Sequence, residues 1–86
     1  MPRVSEFYGI AIYMYFSDHG VPHFHAVYAG QEAVLSIRGL RILEGRLPPR
    51  ALALVRAWGK LHRQELEQDW NLARAGRPLR RIAPLD

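Results

Sequence analysis

Three of the chain's four histidines fall within seven residues, in the stretch Asp18-His19-Gly20-Val21-Pro22-His23-Phe24-His25. Imidazole binds divalent metals and exchanges protons near neutral pH, and a neighbouring carboxylate can be a ligand or orient a ring. If the segment from His23 onward is extended, His23 and His25 share one face and Phe24 takes the other. His19 lies across the Gly20-Val21-Pro22 turn, where it can fold back to meet them. Three chemistries fit this pattern. The first is a metal site held by His19, His23 and His25, with Asp18 as fourth ligand or as the group that orients a ring, and zinc, nickel or manganese as candidate ions. The second is a nuclease, metal-dependent or built on a general acid and base, with His19, His23 and His25 as catalytic candidates and Tyr13 and Tyr15 stacking a base. The third is a hairpin whose imidazoles simply pack at the rim of a sheet. The spacing H-x-x-x-H-x-H is compact but not diagnostic in the way paired C-x-x-C is, so all three stand.

The elements that must position these residues follow from periodicity. In "FYGIAIYMYF", residues 7–16, Ile10, Ile12, Met14 and Phe16 alternate with Ala11, Tyr13 and Tyr15, which predicts one strand covered on one side. "HFHAVYA" is a second strand, and Ala29-Gly30-Gln31 turns the chain into a third, "EAVLSIR", with Ala33, Leu35 and Ile37 on one face. "LRILE" adds a short fourth strand. The period then changes. From Pro48-Pro49 to Gly76, Val55, Trp58, His62, Leu66, Trp70 and Ala73 recur at steps of three and four, with Leu54 and Leu61 widening the stripe. Prolines suit a first turn and glycine a C-cap, so one long helix over about 48–75 is expected, lying on the sheet. Gly59 in its interior costs about 1 kcal/mol against alanine or marks a close contact. The fold expected is therefore a single α+β domain over residues 1–86. Its three- or four-stranded antiparallel sheet, within about 7–45, packs on one long C-terminal helix, and a basic tail follows over 76–86.

Composition sets the wider frame. At 86 residues the chain suits one modest core, and 49% hydrophobic with 23% charged residues describes a folded globule. Cysteine is absent, which removes disulfides and thiolate chemistry. No apolar run approaches the ~18 residues of a membrane span. "MPRVSEFYG" lacks the apolar core of a secretory signal, so a cytoplasmic location without membrane association is expected. Charge is uneven. Residues 1–45 carry three arginines against four acids, whereas residues 46–86 carry nine basic residues against four. Arg74, Arg77, Arg80 and Arg81 are candidate contacts to nucleic acid or to an acidic protein, since guanidinium forks onto phosphate and carboxylate. The abundance of large apolar side chains, Trp58 and Trp70 among them, adds a homodimer to the partners expected. Arg56 and His62 match the loose R-x4–6-H spacing of an all-helical RNase superfamily, but the strand content disagrees with that architecture.

Nearly the whole chain, from "FYGIAIYMYFSDHGVPHFHAVYAG" to "LPPRALALVRAWGKLHRQELEQDWNLARAGRP", resembles a family of short bacterial proteins classed as a domain of unknown function. The shared pattern is an F-Y-G-I-x-I-x-M-Y-F strand, a D-H-x-P-P-H-F-H turn, and an L-P-x-R-A-L helix ending in W-x-x-A-x-x-G-x-P. Val21 stands where the first of those prolines is common. The resemblance implies a partner, a second small protein in a toxin–antitoxin-like gene pair, and carries no catalytic residues. The function expected is a small member of such a pair, binding nucleic acid or its cognate protein. The rival classes are the histidine-based or metal-dependent nuclease and a purely structural interaction module.

Overall fold

Two tight turns lay out the sheet. Phe7 pairs with Ile10 across Tyr8-Gly9, and Tyr28 pairs with Gln31 across Ala29-Gly30. Both residues of each turn have positive φ, 50° and 77° in the first, 51° and 79° in the second. That pairing of signs marks the hairpin turn whose twist matches right-handed strands. The structure, a computed structural model, describes residues 2–16 and 19–86. It contains strands β1 (Arg3–Phe7), β2 (Ile10–Tyr13), β3 (His23–Tyr28), β4 (Gln31–Ser36) and β5 (Ile42–Gly45), then helices α1 (Pro49–Leu61) and α2 (Arg63–Arg74). The strands form one antiparallel sheet in chain order.

This corrects the expected architecture twice. The sheet has five strands, not three or four, because Tyr8-Gly9 is a turn inside the segment expected to be one strand, and Val4, Ser5 and Phe7 before it are buried as β1. The single long helix is two, of 13 and 12 residues. His62 between them sits at φ −118° and ψ 26°, outside the helical range. The backbone ladder still runs past it, with His62 N–H donating to the Trp58 carbonyl and Leu66 N–H to that of His62. The His62 ring pairs with Glu65, the third residue of α2, which gives the break a local partner.

Ile10, Ile12, Met14, Phe24, Ala26, Ala33, Leu35 and Ile37 form the inner face of the sheet, all buried. Ala51, Val55, Trp58, Leu66, Trp70 and Ala73 are the buried apolar helical residues packed with them in one core. Trp58 is fully buried, with its ring centroid 5.3 Å from that of Phe7 and 5.9 Å from that of Phe24. Two residues expected on apolar faces are not covered: Phe16 is 45% exposed and Leu61, at the end of α1, is 70% exposed. Gly59 proves to be a close contact, since a Cβ there would stand 2.7 Å from Leu40 Cδ2.

After α2 the chain ends its helix with Gly76 at φ 71°, Gly76 N–H donating to Ala73 and Arg77 N–H to Leu72. The following segment is strapped down. Arg80 N–H donates to Asp69 Oδ1 at 2.9 Å, Ile82 N–H to the Val4 carbonyl at 2.8 Å, and Trp58 Nε1–H to the Ala83 carbonyl at 2.8 Å. Ile82 is buried beneath this strap. Among the described residues no helix is long and apolar enough to cross a membrane.

Candidate functional site

The outer face of the sheet carries the histidines. Alternation along β3 sends Phe24 and Ala26 inward and His23 and His25 outward, as the sequence predicts. The register then assembles their surroundings: Tyr13 and Val34 flank His25 on β2 and β4, and Ser36 lies opposite His23. Tyr15 meets the His25 ring edge-on with centroids 4.4 Å apart. Trp70 of α2 reaches His23 at 4.9 Å, and the two histidine rings stand 5.5 Å apart at 65°.

Each ring is oriented by an oxygen acceptor. Val21's carbonyl accepts from His23 Nδ1 at 2.7 Å, and Glu32 Oε2 accepts from His25 Nδ1, also at 2.7 Å. When an imidazole's Nδ1 donates, its Nε2 can serve as an acceptor. His25 Nε2 is buried and has no hydrogen-bond partner among the described residues. A buried acceptor in that condition costs about 1–3 kcal/mol. Glu32 was not among the residues expected here. Its signal lies in the hairpin: a two-residue turn at Ala29-Gly30 puts Val34 opposite His25, so Glu32, two positions along β4, is its diagonal neighbour on the same face.

Other expected members are placed differently. Asp18 lies outside the described residues. His19 is exposed, and among the described residues no three histidine, aspartate or glutamate side chains converge as a metal-binding set. Tyr13 engages Arg3, whose Nη2 donates to its hydroxyl at 3.2 Å and whose guanidinium carbon lies 5.6 Å from its ring centre. The Tyr13 contact, with Glu6 beside it, raises the Arg3 pKa further above its ordinary value. His62 is on the core side, against Trp58 at 5.6 Å, and Arg56 Nε donates to the Leu40 carbonyl, so the R-x4–6-H pair makes no shared site.

The tail arginines form a second feature. Arg77 and Arg80 line a groove of about 500 Å³ with Gln68, Asn71 and Leu72 of α2, and Arg74 and Arg81 are exposed beside them in sequence. Two other arginines are neutralised: Arg3 pairs with Glu6, and Arg38 forks onto Glu67 with two hydrogen bonds of 3.1 Å. The Arg38 hydrogen bonds hold the Glu67 carboxyl below its ordinary pKa, against a smaller opposing effect of burial. Among the described residues no ion pair engages Arg74, Arg77, Arg80 or Arg81.

The profile of a family described as a domain of unknown function, DUF4160, matches residues 9–71. The chain belongs to the DUF4160 family. The matched span includes His19, His23, His25 and Glu32, and it ends before the four tail arginines of this DUF4160 protein. No curated protein and no solved structure gives a significant match to this DUF4160 chain.

Proposed function

We propose that this DUF4160 protein binds nucleic acid along its C-terminal ridge, as the small binding member of a two-protein module of toxin–antitoxin type. The observation that carries this reading is the set of exposed guanidinia at Arg74, Arg77, Arg80 and Arg81, none of them in an ion pair among the described residues, the last three following α2 on a segment strapped to the core. A fixed ridge of this kind loses little entropy when it meets a phosphate backbone, and arginine suits bidentate phosphate contact. Gln68 and Asn71 add hydrogen-bonding groups along the same groove. A cognate acidic protein competes for the same guanidinia, which is how one member of such a pair would restrain the other.

Fluorescence anisotropy with labelled single-stranded RNA and duplex DNA, over a range of salt, tests it. Changing Arg77, Arg80 and Arg81 together to alanine is expected to weaken binding to all sequences alike. The slope of log affinity against log salt falls by about 0.7–0.9 for each phosphate that an arginine no longer neutralises. The strap's hydrogen bonds are kept in these substitutions, because Arg80 donates its backbone N–H to Asp69. An unchanged slope, or no binding by the native protein at low salt, overturns the reading.

A further inference from the structure

We infer that two copies of this chain pair edge to edge through β5, antiparallel and about a twofold axis at Ile42, which joins two five-stranded sheets into one. The two edges of the sheet are treated differently. β1 carries the strap, with its Val4 carbonyl taken by the Ile82 N–H. β5 is bare. All four of its residues are exposed, Ile42 and Leu43 among them, and it holds neither lysine nor proline, the residues that blunt an open edge. Its backbone is also presented for pairing. The Arg41 carbonyl turns inward to accept from the Ser36 N–H at 2.9 Å, and Ile42 stands opposite Leu35. Along an antiparallel strand the next residue's N–H and C=O point the opposite way, so those of Ile42 face out of the sheet.

Charge complementarity selects a second copy as the occupant. When Ile42 meets Ile42 of that copy, the two exchange both N–H···O=C bonds, and the rest of the register follows. Ile42 shares the inner face with Leu35, so Arg41 lies on the outer face; Glu44, opposite Val34, lies there too. A bulge at Leu43 sets Leu43 and Glu44 together against the single residue Val34. Arg41 therefore stands opposite Leu43 of the second copy and beside its Glu44, and the twofold axis repeats the contact. Neither Arg41 nor Glu44 has an ion pair within its own chain among the described residues. Leu43 of the second copy also approaches a hollow of about 430 Å³ that Arg41 lines with the exposed Val21 and with Pro22. An isologous contact needs a surface that matches itself, and Arg41-Ile42-Leu43-Glu44 run against its own reverse brings opposite charges together. With β1 strapped, the pairing uses up the open edge and closes at two copies.

Sedimentation equilibrium of the full chain tests this, from about 1 µM to about 1 mM because a four-residue edge makes a small interface. NMR at both ends of the range reads folding and amide exchange. A monomer–dimer equilibrium is expected, with exchange of the Ile42 N–H slowing as the dimer fills. Arg41→Glu and Glu44→Arg each weaken association at least about tenfold, since each sets like charges together. Mixed in equal amounts, the two variants associate with one another as the native chain does with itself, because opposite charges meet again at both contacts. If either variant misfolds, Leu43→Lys, at an exposed position, and the native exchange data decide; the lysine is expected to block pairing. A native chain that stays monomeric throughout leaves the edge to a strand of another protein and overturns the dimer. So does association that leaves Ile42 exchange unchanged, or charge variants that stay apart when mixed.

Discussion

Asp69 is the one carboxylate buried among the described residues of α2, and its two oxygens are treated unequally. Oδ1 accepts from the Arg80 backbone, and Oδ2 has no hydrogen-bond partner among the described residues. Burial pushes the carboxyl up from its ordinary pKa, Glu65 adds slightly to the rise, and the Arg80 hydrogen bond and charge pull it back. The folded protein therefore holds this proton more tightly than the unfolded chain does. The charge is a destabilising contribution above the folded pKa, and it fades as pH falls toward the unfolded value of about 3.9. Relative to Asp69→Asn, which keeps an acceptor for Arg80, the native protein is expected to gain stability from pH 7 down to pH 4. Urea melts at stepped pH measure this, and a difference that stays constant contradicts it. At this scale the sequence reveals which residues share a face, since alternation alone puts His23 beside His25. It conceals their partners, because Glu32 and Trp70 arrive from other elements.

At the level of elements, the contact between α1 and the loop before β5 is decided by one missing methyl. Alanine at position 59 gains about 1 kcal/mol in helix propensity over glycine. Its Cβ would stand 2.7 Å from a Leu40 side chain that is itself buried, and overpacking of that kind costs about 1–3 kcal/mol. The clash is expected to win, so Gly59→Ala lowers stability in chemical denaturation. Combined with Leu40→Ala, its added cost vanishes; a stabilised single variant would show that Leu40 moves aside freely. The helix stripe was legible from Val55 to Ala73, yet the break was not, because His62 continues the apolar period while its backbone leaves the helix. Glu65 three residues on is the local signal. Likewise Tyr8-Gly9 hides a turn inside a clean alternation, since the residues on both sides of it are apolar.

For the molecule as a whole, the tail works as structure first. Ile82 is buried, and the indole N–H of the fully buried Trp58 finds its acceptor at Ala83. Ile82→Ala is expected to cost about 2–5 kcal/mol, a large part of the 5–15 kcal/mol typical of a domain. Arg81→Ala, next to it but exposed, is expected to stay within about 0.5 kcal/mol. Limited trypsin digestion reads the same difference, because a loosened strap exposes the bonds after Arg80 and Arg81. Equal digestion of Ile82→Ala and the native protein would mean that the strap is held by its hydrogen bonds alone. Composition shows the tail's charge, but its path along Val4 depends on β1, a strand the periodicity left out.

The hydrogen bond from Ile82 to Val4 has a consequence in time. Every sheet pairing joins neighbours in the chain, so the five strands can zip hairpin by hairpin, at the small loop-closure cost that favours fast folding. The strap joins residues 4 and 82, and its closure must wait for both helices. In refolding from denaturant the sheet can form before the strap, whose closure seals Ile82 over the core. The histidine-bearing hairpin, which needs only its own short turn, is thus expected to form early, and the strap that joins Ile82 to Val4 to close last.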